Sequence, residues 1–230
     1  RALEDWEFRY HRTHVEALGE AVLPALLEMS KSPDPFVRSQ ALHLLGVRPA
    51  GTPGVVGALR AHLTDPEEMV RQSAVVALGQ QGTEARSAAP ALLSLLARKD
   101  QEKWTTRLIV EALSKIGPDA KAVSPALLTL FRSESGDLKA ECAFALAVLD
   151  RQASREVLPF LQELIKKPSG RREALTALAA LGDPGLPDLI GLLEHREPSV
   201  RAQVAAVLGE RGPAARSAVP ALTRACSDSS

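Results

Sequence analysis

One unit returns along this chain at intervals of about 30 to 35 residues, and that repetition constrains the fold more than any other feature. Its cleanest copy spans 85–117. There an apolar segment containing a proline, Ala89-Pro90-Ala91-Leu92-Leu93-Ser94-Leu95-Leu96, leads through a polar turn into a second apolar segment closed by Gly117. Matching Pro-x-Leu cores stand at Pro24-Ala25-Leu26, Pro125-Ala126-Leu127, Pro159-Phe160-Leu161, Pro187-Asp188-Leu189 and Pro220-Ala221-Leu222. The second segment carries Val70-Arg71, Ala74, Ala77-Leu78-Gly79 and Gly82. Its frame returns at Val37-Arg38, Ala41 and Leu45-Gly46, and again at Val200-Arg201, Val204, Leu208-Gly209 and Gly212. Such a period specifies a stacked array of helical hairpins rather than a globular domain.

Composition narrows the choice. The chain is 45% apolar but only 3% aromatic, so alanine and leucine must fill the interior, which suits closely packed helices and not a β-sandwich. Lys+Arg and Asp+Glu both number 28, leaving no electrostatic footprint for nucleic acid or an anionic membrane. No uninterrupted apolar run is long enough to cross a bilayer, and the charged start Arg1-Ala2-Leu3-Glu4-Asp5-Trp6 is not signal-like, so a cytoplasmic location is expected. Cys142 and Cys226 are too far apart in a linear stack for a disulfide, and no zinc-type spacing exists. The missing initiator Met and the Ser227-Asp228-Ser229-Ser230 end suggest a piece of a longer chain, with further repeats or domains beyond it.

In chain order, 2–18 is expected to be one helix, the core of a terminal cap or remnant repeat over 1–19. The array proper covers 20–226, and 227–230 is a polar tail. First helices (A) are expected from Ala21 to Met29 and over 53–64, 85–98, 119–132, 153–166 and 184–194, with an unpaired last one over 214–226. Second helices (B) are expected from Phe36 to Gly46 and over 66–80, 101–116, 136–149, 169–181 and 198–211. The proline in each A helix predicts a bend or a helix start. Asp65 is placed to cap the following B helix, and Arg71 to reach the Asp of its own or the adjacent hairpin. Phe36, Val37, Ala41, Leu44 and Leu45 are read as inward.

The order of Pro-bearing helix, Asp-containing turn, Val-Arg, Ala and Leu-Gly resembles the HEAT repeat, most closely the short bacterial PBS-lyase-like subtype, over nearly the whole chain. The resemblance implies a right-handed α-solenoid of about six hairpins with B helices on the concave face. Asp137-Leu138-Lys139, the displaced Arg107 and Gly57 depart from the pattern. Taking Val70, Ala74, Ala77 and Leu78 as the buried stripe, the opposite face falls near 68, 72, 75, 76 and 79. The partner-binding residues read from this frame are His43, Gln72, Val75, Val76, Arg107, Glu111, Phe144, Arg172 and Thr176. Leu42, Val75, Val110, Phe144 and Leu175 would form an exposed apolar band; a rotated frame would make them inter-helix core instead.

Catalytic signals are sparse. None of His11, His14, His43, His62 and His195 forms the His-Glu pair that the resemblance associates with di-iron hydroxylases, and neither metal nor cofactor is expected. Trp104 with Lys103, Arg107 and Arg172 imitates the basic groove of HEAT-like alkylpurine DNA glycosylases. The balanced charge argues against nucleic acid, and Trp104 reads as an apolar plug at a B-helix start. Cys142 falls at an inward position. The expectation is a non-enzymatic scaffold binding a protein or peptide on the concave B-helix face. The alternatives are a glycosylase-type DNA-binding enzyme and a bilin lyase-type subunit.

Overall fold

Proline marks where most of the first helices begin. Pro24, Pro90, Pro125, Pro187 and Pro220 are each the second residue of an α-helix, where the missing N–H breaks no intrahelical bond. Pro159 alone lies inside its helix. Where the expected A helix began earlier, at Gly82–Ala88 and Gly212–Ala218, the chain instead runs as a 3-10 segment before the proline-started α-helix.

The computed structural model describes residues 19–98, 102–117, 122–167 and 170–227; the helix expected over 2–18 lies outside them. Their α-helices are α1 (Leu23–Met29), α2 (Pro35–Gly46), α3 (Val55–Ala61), α4 (Glu68–Gln80), α5 (Ala89–Leu96), α6 (Lys103–Ile116), α7 (Ser124–Ser133), α8 (Gly136–Leu149), α9 (Ser154–Ile165), α10 (Arg171–Leu181), α11 (Leu186–Leu192), α12 (Pro198–Glu210) and α13 (Val219–Ser227). Odd-numbered helices are the A members and even-numbered ones the B members. No strand occurs among the described residues. The chain forms two compact units, one up to Val123 and one from Ser124.

In the first unit α2 packs on α4 and α4 on α6. Leu42, Leu45, Val70, Leu78, Ile109 and Leu113 are buried there together with Ala41, Ala74 and Ala77. Small residues set the spacing. A β-carbon on Gly46 would lie 2.7 Å from Ala77 Cβ and 2.8 Å from its Cα, and one on Gly79 would lie 3.3 Å from Ala112 Cβ.

Polar groups tie one hairpin to the next. Arg38 makes two 2.9 Å bonds to the Asp65 carboxylate of the following hairpin, and donates to the carbonyls of Ser32 and Pro33 behind it. Arg71, expected to seek an Asp side chain, donates instead to the backbone carbonyls of Asp65 and Pro66. Asp65 Oδ1 accepts the Glu67 N–H in the turn ahead of α4, so Asp65 shapes that turn, and the N-cap residue is Glu67 rather than the expected Asp65. The His62 ring spans two hairpins, with Nδ1 2.8 Å from Ala58 O and Nε2 2.7 Å from Ser30 O. Gln81 Nε2 donates to the carbonyls of Gly46 and Arg48, closing the C-terminal end of α2.

The second unit repeats the plan. Arg171 and Arg201 reach the carbonyls of Ile165 and of His195 and Arg196, and Arg171 also meets Glu197 at 3.1 Å. Lys139 occupies the same frame position in α8, which accounts for the departure seen at Asp137-Leu138-Lys139. Its ammonium sits 4.7 Å from the Phe131 ring and 5.6 Å from Phe160, rings that meet edge to face.

These contacts, and the open space at Gly57, give three stability predictions. In urea denaturation, Gly46→Val should cost on the order of 2–3 kcal/mol because α4 backbone blocks the new side chain. Gly57→Ala, with nothing within 4 Å, should gain about 0.5–1 kcal/mol. For Asp65, burial pulls the carboxyl up, but the Arg38 guanidinium and the Glu67 N–H outweigh it and hold the group below its ordinary value. A carboxyl depressed in the folded state stabilises fully above the unfolded value of about 4 and loses that contribution as pH falls through the folded one. The stability gap between the wild type and Asp65→Asn should therefore narrow as pH is lowered from 6 to 3.

Candidate partner-binding face

Each B helix of the first unit is covered on more than one side, and what remains open is a narrow stripe. The Gly46–Ala77 and Gly79–Ala112 approaches put α2, α4 and α6 in parallel register. In that register Phe36, Met69 and Trp104 are equivalent; then come Gln40, Ser73 and Leu108, then His43, Val76 and Glu111. Every one of these nine residues is exposed or half-exposed. Spacings of four and then three residues place them within about 40–60° of one another around each helix.

The top row stands out chemically. Phe36 is 60% exposed, Met69 43% and Trp104 54%. The expectations that Phe36 points inward and that Trp104 plugs a helix start are therefore both corrected: each leaves more than half of its surface open to water. Arg107 lies over the Trp104 ring, 5.6 Å from its centroid.

The expected apolar band is overturned. Leu42, Val75, Val110 and Leu175 are buried, because the expected frame counted only one apolar stripe and left out burial against neighbouring B helices. The true open face is rotated by roughly 60° from the expected one. His43, Val76 and Glu111 lie on it. Gln72 is half-buried beneath its edge, donating to Thr105 Oγ1, which in turn donates to Glu68. That Thr105 hydroxyl keeps the Glu68 carboxyl below its ordinary range. Burial lowers the His43 imidazole, favouring its neutral form. Glu111 pairs with Lys115 at 2.6 Å.

In the second unit Phe144 is half-buried on α8, while Arg172 and Thr176 are exposed on α10. The positions equivalent to Phe36 are Asp137 on α8 and Ser199 on α12, so the apolar row belongs to the first unit. A hollow of about 430 Å³ is lined by Gln162, Glu163, Ile165, Lys166, Leu178 and Asp188 with Gly191 and Leu192. Its polar groups are already engaged, Gln162 with Asp188 at 2.9 Å and Lys166 with Glu163 at 2.6 Å. Among the described residues no three His, Cys, Asp or Glu side chains converge as metal ligands.

The row could have been found from the sequence. Aligned on Leu44, Ala77 and Ala112, each two residues ahead of Gly46, Gly79 or Ser114, the hairpins place Phe36, Met69 and Trp104 two residues after Asp34, Glu67 and Glu102.

Comparison with known proteins gives a consistent picture. A family model described as HEAT repeats matches residues 3–79, 23–114, 58–147 and 167–230. A complex of CpcE and CpcF of phycocyanin lyase from Nostoc sp. PCC7120 has a similar structure, with a TM-score of 0.64 at 19% identity over 97% of this chain and 89% of that one. A designed armadillo repeat protein in complex with a (KR)4 peptide gives a TM-score of 0.54 at 22% identity, covering 81% and 98%. An engineered protein gives 0.55 at 21%, covering 93% and 64%. No curated protein matches.

Cys142 is a buried free thiol, and its surroundings make it inert. Burial first, then the charges of Glu141 and Glu134, push its thiol up to about 12. In a Cys226→Ser variant at pH 8, iodoacetamide should leave Cys142 unmodified in the native protein and modify it in denaturant, as read by mass spectrometry.

Proposed function

The chain belongs to the HEAT repeat family, and from that premise we propose that it is a non-enzymatic scaffold whose first unit takes a protein partner on the open stripe of α2, α4 and α6. The observation carrying this reading is the exposure of Phe36, Met69 and Trp104 at equivalent positions of successive B helices. The repeat does not need apolar residues there, since Asp137 and Ser199 serve in the other unit. Large apolar side chains aligned in water are suited to burial by a partner. Trp104 has the size of an interface anchor.

His43, Val76 and Glu111 form the next part of the surface, with Gln72 and Arg107 at its edge. Val75 drops out because it is buried. Arg172, Thr176 and the half-buried Phe144 provide a weaker surface on the second unit. The armadillo neighbour carries a peptide, an example of a helical array engaging an extended chain. No helix among the described residues is long and apolar enough to cross a membrane.

A second reading, a subunit of a lyase-type assembly, is favoured by the likeness to the CpcE–CpcF complex over nearly the whole chain. Visible absorbance after incubation with a free bilin separates the two: a bound, spectrally shifted chromophore supports the lyase-type reading and counts against the scaffold.

The scaffold is tested by affinity capture with quantitative mass spectrometry, comparing the wild type with Phe36→Ser/Met69→Ser/Trp104→Ser. The expected result is that proteins enriched by the wild type fall at least tenfold with the triple variant, whose thermal midpoint stays within a few degrees because the side chains are exposed. Equal recovery by both overturns the reading.

A further inference from the structure

Deepening that reading, and resting on it, we propose that the segment bound along Phe36, Met69 and Trp104 is an extended, polyproline-II-like peptide with a basic side chain beside its apolar ones. Two parallel columns carry the inference. Asp34, Glu67 and Glu102 are the N-cap residues of α2, α4 and α6, all three exposed and each two residues ahead of one member of the apolar row. Asp34 accepts the Phe36 N–H, and the Glu67 and Glu102 side chains make no capping bond. Glu68, kept ionised by Thr105, adds a fourth carboxylate between the second and third helices.

The nearby cations do not cancel this field evenly. Arg38 is paired with the Asp65 carboxylate, whereas Arg71, bonded only to neutral carbonyls, keeps its positive charge beside Glu68. Lys103 and Arg107 both lie on α6, the latter over Trp104. With Arg71 offsetting Glu68, the excess of negative charge falls along Asp34 and Glu67, beside Phe36 and Met69. A partner that buries the apolar row while carrying acidic groups past this edge would be repelled; a basic one is attracted and held in register.

Spacing selects the backbone. Packed helices lie about 8–10 Å apart, and a polyproline-II chain advances about 9 Å over three residues. Every third side chain then meets the next B helix. The two-residue repeat of a β-strand advances about 6.6 Å and drifts out of register, and an α-helix meets the spacing only at every seventh residue.

The test uses the full chain and three synthetic peptides of equal length: repeated Leu-Pro-Lys triplets, repeated Leu-Pro-Glu triplets, and an amphipathic Leu/Lys helix. Binding is read by calorimetry and by the part of the tryptophan emission that is lost in Trp104→Phe. The lysine triplets should bind about tenfold or more tightly than the glutamate triplets, with the ratio falling as salt rises. Asp34→Asn with Glu67→Gln should bring the ratio towards one without changing the thermal midpoint, since Asn still caps α2. Glutamate triplets binding as well as lysine triplets, the helical peptide binding more tightly than both, or a ratio indifferent to the two charge substitutions would each overturn the inference. If no peptide binds while capture of a cellular protein is still lost in Phe36→Ser/Met69→Ser/Trp104→Ser, the inference fails and the scaffold stands.

Discussion

The structure of the first unit depends on how closely its second helices can approach. Gly46 lies against Ala77 and Gly79 against Ala112, at distances that no larger side chain would permit. This contact places α2, α4 and α6 side by side and brings Ser39 within 2.8 Å of Ser73 and Gln72 within 2.9 Å of Thr105. It also turns three sequence-distant first turns into neighbours. An array of this kind has no long-range core to close on, so every hairpin relies on the interface with the next.

Polar ties refine that packing at modest cost. The arginines at the start of the B helices mostly satisfy backbone carbonyls of the preceding turn, groups that would otherwise end a helix without partners. Where the arginine is replaced in α8 the structure finds a different solution, Lys139 lying over two phenylalanine rings; where the preceding valine is replaced in α6, Thr105 joins a chain from Gln72 to Glu68. These substitutions preserve the stack because burial of Leu, Val and Ala carries most of the stabilisation.

A buried residue contributes to folding whichever partner the protein meets, whereas Phe36, Met69 and Trp104 leave much of their apolar surface in water. Their alignment in one unit, with polar residues at the same frame positions of the other, separates the requirements of the fold from those of recognition. The acidic caps beside them give the row a chemical direction. Cys142, by contrast, is enclosed and protonated, a packing residue in spite of its potential for chemistry.

Much of the architecture was legible in the chain itself. Pro at the second position of the A helices, Asp65 ahead of α4 and the Ala-Leu-Gly run each act over a few residues, so they specify helix starts, turns and the six hairpins without knowledge of their neighbours. The open face was not legible in the same way. A hydrophobic stripe such as Val70, Ala74 and Leu78 marks the side facing the A helix, but alanine and glycine give no comparable signal for the side facing another B helix. Val75 and Leu42 therefore looked available and are buried, while Phe36 and Trp104 looked buried and are open. Periodicity within one helix determines that it is amphipathic; only stacking decides which part of its circumference water still reaches, because that depends on residues about 33 positions away.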